Sequence, residues 1–244
     1  MDEMFWARTY AYSLLPLLLF ALHLVAEPAA RTSARRVELL TMYVLGVGVG
    51  AGGLGGAYGH LVMPDVVAES IGWETGSPFQ LEMGFANLAL GLLGLVAANR
   101  RDGFRHATIL AVTVIGVGAT AVHLIDLSAN GNHAAGNTIQ NIGNLLDPLL
   151  LVTLLWLASR LRGEERRDAR FDTWQLHQQP IVAGAAIGVG IGFATGYAFD
   201  ALWIGSTLGA VLGVVGARAA QRRHTSHMVQ DGGSRESEHE RSHG

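Results

Sequence analysis

The chain has 244 residues, half of them hydrophobic and only 15% charged, with a net charge of −3 and no cysteine. The missing cysteine excludes disulfides, thiolate metal sites, iron–sulfur clusters and cysteine nucleophiles, and the charge balance gives no support to a nucleic-acid partner. A mean hydropathy of +0.30 gathers the apolar residues into long runs, which is a membrane composition.

A hydrocarbon core about 30 Å thick is crossed by about 20 apolar residues in a helix. The first such run, near 5–26, opens on Asp2 and Glu3 with no basic segment before it, and reads as a retained span rather than a cleaved leader. Further runs lie near 38–62, 81–98, 106–127 and 141–160, and a last pair near 180–199 and 201–219. The expected fold is therefore an all-α integral membrane bundle of seven transmembrane helices. Every basic residue is arginine, so a retinal Schiff base on lysine is ruled out.

Arginine also sets the expected orientation, because short basic loops stay cytoplasmic. Arg31, Arg35 and Arg36 follow the first span, Arg100, Arg101 and Arg105 the third, Arg160 to Arg170 the fifth, and Arg218, Arg222 and Arg223 the seventh. The alternate loops, 63–80, 128–140 and the turn at Asp200, hold none. This puts the N-terminus outside, the C-terminus inside, and the chain in the cytoplasmic membrane.

Composition divides the chain into a first helix with its loop (1–37), a bundle (38–160), a charged cytoplasmic linker (161–179), a glycine-striped hairpin (180–220) and a disordered tail (221–244). The tail carries His224, His227, His239 and His243, read as solvated. Gly184, Gly188, Gly192 and Gly196 face Gly205, Gly209 and Gly213 in sequence pattern, a stripe that lets helices approach closely, or docks a membrane partner or second copy. The bundle reads as a duplicated hairpin. Gly53 and His60 recur as Gly116 and His123, and Gln80 with Asn87 recurs as Gln140 with Asp147.

Two chemistries follow from the polar residues. Ser77 with Gln80, and Asn137 with Gln140, have the spacing of capping boxes that start helices. Deeper in the spans, an amide or carboxylate is costly unless it meets other protein groups or trapped water. His60, Asn87, His123, Asp126, Asn144 and Asp147 are thus expected around one outward-facing pocket, while Glu82 points away from the Asn87 face. Within such a pocket His60, His123 and Asp147 could ligate a metal, or the two histidines a haem. Transport of a small solute or proton uses the same groups, and a purely structural polar network is the third reading. No residue pattern assigns a catalytic role.

The phrases Gly59-His60, "ESIGW", "GSPFQ-x-E-x-G-x-A-N", His123-x-x-Asp126, Gly136-Asn137 and Asp147-Pro148 resemble an uncharacterised family of small prokaryotic multi-pass membrane proteins, a domain of unknown function. The resemblance covers about residues 40–158 and implies no established activity.

Overall fold

The computed structural model describes the backbone of residues 2–27, 30, 32–199 and 201–242, and the side chains of these except Asp2, Met4, Phe5, Thr9, Ala198 and residues 223–242. Arg31, Asp200 and His243, and the side chains of Arg223, His224, His227 and His239, lie outside the described residues.

Seven helices are long and apolar enough to cross a membrane: Trp6–Ala26, Ser33–Val62, Phe79–Ala97, Gly103–Asn130, Ala135–Arg167, Phe171–Tyr197 and Leu202–Arg222. They are called spans one to seven below. No strand occurs among the described residues. Span two is the central helix, with 83% of its apolar window buried where the other six range from 17% to 44%. Its glycines make this possible. A Cβ on Gly53 would lie 2.6 Å from Gly91 Cα, and one on Gly94 only 2.8 Å from Gly50 N, so spans two and three touch backbone to backbone. One apolar core joins spans one, two and six through Leu15, Tyr43, Trp174 and Val189. A second joins spans two to five through Leu45, Ala97, Ile109 and Leu151.

Spans six and seven form the expected glycine-to-glycine hairpin. Gly184 meets the carbonyl of Gly213, Gly188 that of Gly209, and Gly192 that of Gly205, each too close for any Cβ. Both stripes are therefore packed against each other.

The segment read as a linker is mostly helix. Span five runs to Arg167, and the next helix starts at Phe171, so only a three-residue turn separates them. Its carboxylates are ties rather than a solvated face. Arg35 forks onto Asp168 at 2.5 and 2.7 Å and stacks over Trp174 at 5.2 Å. Arg101 bonds Glu165 at 2.8 Å and also Asp172. The Glu164 carboxylate accepts from Ser33 N and Ala34 N at 3.0 and 3.2 Å, satisfying two free amides at the start of span two. The helix carrying span seven continues through Ser242, into the stretch expected as a disordered tail.

The Arg35 guanidinium, with the Arg170 backbone amide, holds the Asp168 carboxyl below the usual carboxylate range. A carboxyl whose folded value is depressed contributes stability that is present above the unfolded value and lost as pH falls through the folded one. Wild-type protein is accordingly expected to lose stability against Asp168→Asn only below about pH 4, read from detergent unfolding curves between neutral pH and pH 3.

Candidate functional site

The two intramembrane histidines do not meet. His60, buried at the end of span two, donates from Nδ1 to Gln80 Oε1 at 2.7 Å. His123, equally buried in span four, donates from Nδ1 to Asn137 Oδ1 at 2.8 Å. Each ring is fixed in tautomer and orientation by an amide that reading the sequence had assigned to capping. Asn137 is fully buried in the short helix Ala135–Thr138 and also donates to the carbonyls of His123 and Asn132. Gln80 is 1% exposed and does not reach back along its helix. Of the predicted caps, Ser77 alone bonds a nearby amide, accepting from Phe79 N at 3.3 Å.

Deleting Asn137 leaves the His123 ring and two buried carbonyls without their partner. Asn137→Ala is expected to cost about 3 kcal/mol, against a few tenths for the exposed Ser77→Ala, measured as detergent or thermal unfolding.

His123 belongs to a clamp at the membrane face that carries the loop between spans two and three. The short helix Pro64–Ile71 ends at Gly72, whose φ of 80° is left-handed and whose Cα faces the Asn132 amide closely. Trp73 then stacks on the His123 ring at 5.5 Å, packs its edge on Phe79 at 5.4 Å, and donates from Nε1 to Asp126 Oδ2 at 2.9 Å. Asp126 also accepts from Asn130 and Asn132, each at 2.7 Å, and Asn132 donates to Ile71 O at 2.9 Å. The "IGW", His-x-x-Asp and Gly-Asn phrases are therefore one assembled lock. Asp126 is spent in it. Glu69, Glu82 and His133 are exposed outside it.

Asn87, Asn144 and Asp147 do converge. With Gln140 they line a cavity of about 140 Å³ between spans one to five. Three side chains of span one complete it, Arg8, Tyr12 and Ser13, none of them expected from the pattern of repeats. The Ser13 hydroxyl bonds the Asp147 carboxylate. Arg8 feels the charge of Asp147, yet the two form no ion pair. The Asn144 amide nitrogen is buried without a partner, as is the oxygen of its neighbour Asn141. Two π-helical segments border this space, Tyr10–Leu14 with Tyr12 and Ser13, and Val44–Ala51 with Gly48 and Val49. A wider turn re-aims side chains inward, a device that recurs at functional sites.

The two hairpins pack differently, which explains who reaches the cavity. His60 takes Gln80, but His123 takes Asn137, not Gln140. A Cβ on Gly53 would meet Asn87 O at 2.9 Å, whereas one on Gly116 meets the carbonyl of Asn144, not of Asp147. In both places the second hairpin uses the residue three positions earlier, a slip of about 4.5 Å along the helix. That slip releases Gln140 from the histidine and turns it, with Asp147, to the cavity.

His60 instead lines a neighbouring, mostly apolar cavity of about 390 Å³ between spans two and six, which shares Arg8 and Tyr12 with the first. His123 lines neither cavity. The expected set of His60, His123 and Asp147 thus comes to no common point. No group of three histidine, aspartate or glutamate side chains able to hold a metal ion occurs among the described residues.

These features define an all-helical membrane protein with seven spans among the described residues. Residues 7–164 match the family described as "Family of unknown function (DUF6790)", and the chain belongs to it. No curated protein and no solved structure matches. The matched region takes in every residue that lines the polar cavity and stops before span six.

Proposed function

We propose that this is a multi-pass protein of the cytoplasmic membrane, N-terminus outside, that binds a small polar solute between Arg8 and Asp147. The observation that carries it is the pair of opposite charges lining one cavity from spans one and five without ion-pair contact. Charges held apart at membrane depth are costly, and a guest that donates to the carboxylate and accepts from the guanidinium offsets that cost. Asn87, Gln140 and Asn144 add amides that both donate and accept, and the unpartnered Asn144 N–H offers a further bond. The space suits a guest of a few heavy atoms or several waters. The histidines are held elsewhere, His123 in the lock by Asn137 and His60 by Gln80.

The test is thermal unfolding of detergent-purified protein against urea, guanidinium, glycine, acetate and ammonium. At least one solute should raise the wild-type midpoint by a few degrees, since saturation at about 100 times Kd contributes about 2.7 kcal/mol. Asp147→Asn and Arg8→Gln should remain helical and lose that response. An unresponsive wild type, or variants that respond as it does, would overturn the reading.

A further inference from the structure

A second site stands at the arginine-rich face, most of its lining beyond the family-matched region. A cleft of about 890 Å³ opens there between the ends of spans one, two, six and seven. Arg35, Arg170, Arg218, Arg222 and His177 line it, against the single carboxylate of Glu27. The four arginines come from span two, the turn before span six and span seven, so the tertiary fold and not a local basic run brings them together. Arg35 is already engaged by Asp168. Arg170 and Arg218 have no carboxylate within ion-pair distance among the described residues. Span seven is tied across the cleft by Gln221, which donates to the His177 carbonyl at 2.8 Å. Ala26, Trp174 and Ile181 supply apolar wall beside the charges.

Guanidinium groups match the oxygens of a phosphate in geometry and charge. A basic pocket at the ends of membrane helices that also offers apolar wall suits a phospholipid, whose headgroup is charged and whose acyl chains are apolar. We propose that this cleft binds a phosphate group, with Arg170 and Arg218 as its principal ligands. The phosphate belongs either to an anionic lipid headgroup or to a soluble phosphate compound.

The experiment uses the full chain in detergent. Native mass spectrometry counts bound phosphatidylglycerol against phosphatidylcholine, and thermal unfolding is followed with inorganic phosphate against chloride. Phosphatidylglycerol should be retained in preference, and Arg170→Gln with Arg218→Gln should weaken it about thirtyfold. Arg162→Gln, on span five and outside the cleft, should change nothing. Protection by inorganic phosphate that the double variant lacks assigns the same site to a soluble source. Equal retention of both lipids with no effect of phosphate overturns the proposal, as does an Arg162→Gln loss equal to that of the double variant. Should the double variant fail to fold, Arg218→Gln alone gives the same reading, with Arg218→Lys expected to retain most of the binding.

Discussion

Arg105→Met is expected to lower stability by about 3–5 kcal/mol, the cost of leaving one member of a buried ion pair alone. Arg105 and Glu38 join spans four and two through two bonds of 2.8 Å, and both side chains are only 7% exposed. The guanidinium also bonds the carbonyls of Ala97 and Ala98, at 3.1 and 3.2 Å, where span three ends and its carbonyls have no helical partner. Gln175 of span six donates to the same Glu38 carboxylate at 2.9 Å. One substitution therefore strips a buried carboxylate of its counter-charge and the Ala98 carbonyl of its bond together. Glu38→Gln should cost a comparable amount. Glu38→Leu combined with Arg105→Met should recover much of the loss, because two apolar groups leave no unpaired charge. Unfolding in a denaturing detergent measures all three; equal losses for the single and double variants would contradict the coupling.

Gly188→Ala and Gly190→Ala are expected to act with opposite signs. Gly188 lies against the Gly209 carbonyl with no room for a methyl group, and Gly209 lies likewise against the Gly188 carbonyl. Neither helix can turn away, because Ala185 and Val189 on span six are fully buried in the core. The hairpin must open, at a cost of about 3 kcal/mol. Gly190, two residues on, has open space where its Cβ would be. There alanine removes only backbone freedom from the unfolded chain, a gain of about 0.5–1 kcal/mol. Two equal losses would mean that the glycines serve helix flexibility rather than contact.

The number of spans was legible because each apolar run is long and nearly free of charge. The hairpin of spans six and seven was legible because glycine every fourth residue has a single steric use. The extent of the charged segment 161–179 was not, since Arg, Glu and Asp read alike whether solvated or tied to other loops, and the partners Arg35 and Arg101 lie far off in sequence. Asn87, Asn144 and Asp147 were legible as a converging set because polar residues at membrane depth stand out. His60 and His123 fail to join them because each ring is taken by an amide of a neighbouring helix, a pairing that spacing along the chain hides. Asn137 and Gln80 looked like caps because local patterns cannot show a histidine in another helix. Arg8 was in plain view. An arginine inside the first apolar run is expensive, and that cost alone marks it as a cavity residue.

The account rests on span one closing the polar cavity against span five, and the absence of native cysteine allows a direct test. A Cβ on Gly143 would lie 3.3 Å from Ser13 Oγ, so Ser13→Cys with Gly143→Cys places two thiols within bridging reach. The account predicts a reductant-sensitive link between residues 13 and 143 in the membrane-embedded protein, and none when Val25→Cys replaces Ser13→Cys. A folded double variant whose cysteines stay free under oxidising conditions would place span one elsewhere and remove Arg8 from the site.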